Sequence, residues 1–85
     1  MGKKHQEIIQ MIQIQSITLP ERKFKLRDWL GVVRLSVKDL ADIVGVSRSY
    51  IHMILMGDKV PSVALFERIR SLSMGKVRDM KDLRD

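Results

Sequence analysis

The 85-residue sequence predicts an all-α fold of four to five helices. Three observations carry that prediction. Apolar residues recur at spacings of three and four from Leu26 onward, glycines end those runs, and hydroxyl residues stand at their starts. The hydrophobic content of 45% includes one Trp, one Tyr and two Phe, so the expected core is mainly aliphatic. With no cysteine, neither a disulfide nor a thiolate metal site can staple so small a chain, and a reducing compartment such as a cytoplasm is natural. Apolar packing has to hold it, with a second subunit as a plausible supplement.

Residues 1–19 form an apolar segment rich in Ile and Gln, one of two candidates for the dimer contact, the other being the C-terminal helix. Ile8, Met11 and Ile12 share one helical face, whereas Ile9, Ile14 and Ile17 scatter around the wheel. From Ile12 to Leu19 the β-branched content and the Ile12/Ile14 alternation favour an extended strand. Helix and strand both stay open. Neither is stable alone at this length, so the segment is expected to dock on the core, on a twin subunit, or on both. Pro20 breaks the run.

Residues 20–73 read as the compact unit. A helix is predicted from Glu21 or Arg22 to about Arg34, with Leu26, Trp29, Leu30 and Val33 on one buried stripe. That spacing assigns Trp29 to the core rather than to a base-stacking platform. Ser36 and Asp39 form a capping-box pattern that starts a helix through Val44, with Leu40, Ala41 and Val44 inward. Gly45 suits a left-handed position after it. Ser47 caps the next helix, roughly Arg48 to Met56, with Ile51, Ile54 and Leu55 inward and Gly57 closing it. After Asp58-Lys59-Val60, Pro61 and Ser62 open a helix to about Ser73, lined by Leu65, Phe66, Ile69 and Leu72. Residues 74–85 are a charged tail or a short helix carrying Val77, Met80 and Leu83.

Net charge is +6, which suggests a polyanionic partner. No acidic residue stands between Asp42 and Asp58, while Arg22, Lys23, Lys25 and Arg27 cluster. Two short helices joined at Gly45 leave the outer face of the second one free, and it carries Arg48, Ser49, His52 and Met53. In a basic chain, that arrangement suits a DNA major groove.

Other functions find little support. There is no Gly-rich phosphate cradle, nucleophile motif or carboxylate cluster, because Asp39 serves the capping box and Asp42 faces solvent. The reading is a binding protein without catalysis or cofactor. His5 and His52 lack the spacing of a metal-ligand pair. No apolar run is long enough to span a membrane, Gln10, Gln13 and Gln15 interrupt any signal-peptide pattern, and Gln6 stands where a myristoylation start wants Ser or Thr.

Leu40-Ala41, Gly45-Val46-Ser47, Ile51, Ile54, Gly57 and Pro61-Ser62 stand at the spacing of a known family, and Leu26 with Leu65, Ile69 and Leu72 extends the match. Over roughly residues 22–73 the chain resembles the lambda repressor/Cro-type (Xre-like) helix-turn-helix family. The resemblance implies a bundle of four or five helices that binds double-stranded DNA as a homodimer, often as a phage or mobile-element repressor. It carries base reading to Arg48, Ser49 and Met53, and phosphate anchoring to Val37, Lys38 and the Asp58-Lys59 loop. Two positions depart from the pattern: Val37 stands where many members have Gln, and Leu55 where many have Glu. The Ile/Gln leader lies outside it.

The side-chain chemistry suits these roles. Arg48 can pair with guanine O6 and N7 in two parallel bonds, or anchor a phosphate. Ser49 can donate to a base or a phosphate, or merely begin the helix. Met53 can touch thymine methyls or tuck against a neighbouring helix. Ser47, Tyr50 and His52 would flank the groove and bond phosphates. Lys38, Lys59, Arg22, Lys23 and Lys25 would form a backbone clamp with steep salt dependence. The expectation is a sequence-specific transcriptional regulator, a small phage- or plasmid-type repressor on a near-palindromic operator. The alternatives are an antitoxin-like module binding a partner protein and DNA, and a non-specific architectural binder.

Overall fold

The computed structural model describes residues 2–85, with side chains from Gln6 onward. Five helices follow one another: α1 (Gly2–Ile17), α2 (Leu26–Val32), α3 (Val37–Val44), α4 (Arg48–Leu55) and α5 (Val63–Leu72). A 3-10 turn at Met80–Leu83 completes the order, and no strand occurs among the described residues.

The strand favoured from Ile12 to Leu19 does not form, since α1 runs on to Ile17. The helical phase brings Ile9, Ile12 and Ser16 to one side, where Ile12 and Ser16 are buried. There the Trp29 indole Nε1–H donates to Ser16 Oγ at 2.9 Å, and Ser16 Oγ–H donates to the Ile12 carbonyl at 2.8 Å. The polar handle on the buried Trp thus finds its partner on the same helical face that buries Ile12. Tertiary docking overrides β-propensity here. The helix then ends with Leu19 N donating to the Ser16 carbonyl, and Thr18 Oγ1 to that of Gln15.

The next helix is shorter than its apolar stripe suggests. It starts at Leu26 instead of Glu21 or Arg22, and stops at Val32 instead of Arg34. Residues 21–25 turn after Pro20 and then bury Phe24, whose N–H donates to the Lys76 carbonyl at 2.7 Å. The Arg22 guanidinium lies 3.8 Å from the centre of the Phe24 ring. At the far end Arg34 takes a left-handed φ of 58°, which breaks the helix.

The remaining helices follow their sequence signals closely. Ser36 and Asp39 form a reciprocal capping box at α3, and Ser47 caps α4. Pro61 does not open α5 itself. It is buried just ahead of Ser62, which caps a helix starting at Val63. Phe66, expected inward, is only half-buried against the core.

Residues from all five helices, from the loop at Phe24 and from the C-terminal segment meet in a single core. Trp29, Leu26, Leu40, Ile51 and Ile69 are fully enclosed there. Val77 and Leu83 join them, whereas Met80 stays at the surface. The C-terminus is tied down twice. Asp85 N donates to the Leu55 carbonyl at 2.9 Å, and Arg27 pairs with the Asp85 carboxylate at 2.7 Å.

Removing the Ser16 hydroxyl leaves a buried indole N–H without an acceptor. Ser16→Ala is expected to lower stability by about 1–3 kcal/mol in urea unfolding. A change within measurement error would contradict the docking of α1 on Trp29.

Candidate nucleic-acid interface

The geometry of the site begins at Gly45. Its φ of 80° is a left-handed backbone, which an L side chain adopts only at a cost. In that conformation Gly45 N and Val46 N both donate to the Ala41 carbonyl, at 2.8 and 3.0 Å. Arg68 reaches from α5 to donate from Nη1 to the Val44 carbonyl at 2.7 Å. The last carbonyls of α3 are thereby satisfied while the chain reverses into α4. Ala41, almost fully buried, keeps the helix pair close.

Helix α4 spends Ile51, Ile54 and Leu55 on the core. Its opposite side presents Arg48, Ser49 and His52 to solvent, with Met53 half-buried beside them. Together with Val37 from the start of α3, these four residues line one open concavity. Arg48 makes no ion pair among the described residues. Its guanidinium is therefore available to a ligand.

The other residues singled out from sequence are placed differently. Ser47 Oγ accepts from Tyr50 N at 3.1 Å, so its first task is capping. Tyr50 packs partly on the core. Lys38 is exposed near the start of α3, 3.9 Å from Asp42. Lys59 lines a second concavity, at the far end of α4. Arg22 stacks on Phe24, and Lys25 directly precedes α2. Lys23 pairs with Asp79 at 2.9 Å. Their mutual hydrogen bond holds the Lys23 amine above its ordinary range and the Asp79 carboxyl below its own. An exposed pair of this kind contributes little to stability.

Two basic residues escaped the reading from sequence. Lys81 and Arg84 line the same concavity as Lys59. Reading residues 74–85 as a tail hid them. The available signal was the apolar pair Val77 and Leu83, which anchors that segment on the core.

Among the described residues no group of His, Asp or Glu is arranged to hold a metal ion. No helix there is long and apolar enough to cross a membrane.

Residues 33–72, which span α3, the Gly45 turn, α4 and α5, match the family model described as Helix-turn-helix. This segment is a helix-turn-helix domain of the lambda-repressor (Xre-like) type. Domains of this type are DNA-binding and regulatory. Helices α1 and α2 and the C-terminal segment lie outside the match. No curated protein and no solved structure matches the chain.

A Cβ on Gly45 would meet Arg68 Nη1 at 3.6 Å, an ordinary contact, so any cost there is backbone strain. Gly45→Ala is expected to lower stability by about 1–2 kcal/mol. Thermal unfolding measures it, and an unaltered midpoint would contradict the left-handed turn.

Proposed function

We propose that the protein is a sequence-specific transcriptional repressor that binds a near-palindromic operator as a homodimer. One observation carries this reading. The outer face of α4 is acid-free and exposed, is headed by an arginine without an ion pair, and belongs to a helix-turn-helix domain. In the proposed complex α4 lies in the major groove. Arg48 reads guanine through O6 and N7, Ser49 donates to a neighbouring base edge, and Met53 packs on thymine methyls. Val37 offers its backbone N–H to a phosphate at the start of α3. Lys38, Ser47, Tyr50, His52 and Lys59 contact the flanking backbone, with Arg22, Lys23 and Lys25 adding long-range attraction. Cytoplasmic location, in a bacterial or phage-infected cell, follows from that role.

Two copies would place their α4 helices in successive major grooves about 34 Å apart. The dimer contact is assigned to α1, which exposes Ile8, Met11, Ile14 and Ile17 at a regular spacing of three. No charged residue interrupts the stretch from Ile8 to Ile17, so self-pairing incurs no repulsion there. The C-terminal segment is the weaker choice, since Val77 and Leu83 are already used inside the subunit. Charging this row with Met11→Lys and Ile14→Lys is expected to give monomers in sedimentation at concentrations where the parent chain is dimeric. A parent chain that is monomeric at high micromolar concentration, with and without DNA, would overturn the dimer.

Selection of bound sites from random DNA tests the function itself, and a two-fold motif is the expected result. Arg48→Ala is expected to relax base preference at one position of each half-site, a loss of about 1–3 kcal/mol in discrimination with the fold intact. Lys59→Ala is expected to weaken binding evenly across sequences and to reduce the salt slope by about 1. Identical effects from both changes would contradict the division between base reading and anchoring.

A further inference from the structure

We propose that Lys81 and Arg84 join Lys59 in a phosphate-binding ridge that extends the DNA contact beyond the helix-turn-helix domain. The inference rests on the DNA-binding reading and adds to it a part of the chain that the family match does not cover.

The location is fixed by backbone hydrogen bonds. Asp58 N and Lys59 N both donate to the Met53 carbonyl, at 2.8 and 3.3 Å, so the loop after α4 begins beside the contact face. The C-terminal segment is drawn to the same place by the bond from Asp85 N to the Leu55 carbonyl and by burial of Leu83. Arg84 passes so close to the loop that a Cβ on Gly57 would lie 3.8 Å from its Cδ. The result is one concavity with Ile54 and Leu83 in its lining and three cations around it: Lys59, Lys81 and Arg84.

Charge pairing separates this cluster from six of the other cations. Lys23, Arg27, Lys38, Arg70, Lys76 and Arg78 each have a carboxylate within 4 Å. Lys59, Lys81 and Arg84 have none among the described residues. None of the nearby acids forms an ion pair with them, and Asp79, which feels the charge of Lys81, is hydrogen-bonded to Lys23. Asp85 is engaged by Arg27, Asp82 is buried with Oδ2 unpartnered, and Asp58 is exposed in the loop without an ion pair. Three cations without ion pairs around one concavity at the end of α4 suit the negative charge of a duplex backbone. Phosphate contacts of this kind position the protein without reading sequence.

The test compares the parent chain with Lys81→Gln/Arg84→Gln on a short mixed-sequence duplex over a range of salt concentrations. Each lost phosphate contact removes about 0.9 from the slope of log K against log salt, so the double variant is expected to lose about 1.8. The charge-keeping variant Lys81→Arg/Arg84→Lys is expected to retain the parent slope. A slope unchanged in the Gln variant overturns the ridge while leaving the α4 reading intact. So does an equal loss in the charge-keeping variant, which would point to altered packing. A parent chain that binds no duplex at all removes the DNA reading and the ridge together.

Discussion

The left-handed backbone at Gly45 is the constraint on which the rest of the structure depends. It lets α3 end and α4 begin within three residues, while Ala41 accepts two backbone donors and Arg68 covers the Val44 carbonyl. Two helices crossing this closely share one buried side, made of Leu40, Ala41, Val44, Ile51 and Ile54. The remaining side of α4 is then left in water by geometry. Arg48, Ser49 and His52 are exposed because the apolar residues of the same helix have no other place to go. The proposed contact face is the one that the turn leaves over.

Eight-residue helices cannot hold such a face steady by themselves, since most helical stability comes from tertiary packing. The chain supplies support from outside the helix-turn-helix domain. Helix α1 lays Ile12 and Ser16 against the core and gives the Trp29 indole its acceptor. From the other end, Val77 and Leu83 fill the core and Asp85 caps the Leu55 carbonyl at the close of α4. Both additions free surface for further use. The first leaves an apolar row on α1, and the second brings two cations to the end of α4.

The helix-turn-helix was legible because each of its signals acts locally. Ser36 with Asp39, Gly45, Ser47 and Gly57 determine caps and turns through their own side chains and backbone preferences, so residue type alone places them. The face of α4 followed from counting apolar positions. The flanking segments were harder to read because long-range contacts decide them. Ile12 to Leu19 prefers a strand by composition, whereas distant contacts, among them the Trp29 indole on Ser16 and the burial of Ile12, favour the helix. Residues 21–25 carry no helix breaker after Pro20, yet the bond from Phe24 to Lys76 holds them in a loop. Lys81 and Arg84 belong to the same case. Their neighbourhood with Lys59 exists only once the C-terminus has folded back on α4.

The most direct test of the central claim is a backbone NMR titration with duplex DNA. The account predicts that the largest shift changes fall on Arg48, Ser49, His52 and Met53, then on the loop from Gly57 to Val60. The groove between α1, α3 and α5, marked by Ile9, Ile43 and Ser71, should stay nearly still. Changes concentrated in that groove, or a spectrum that no duplex perturbs, would contradict the assignment of α4 as the contact helix.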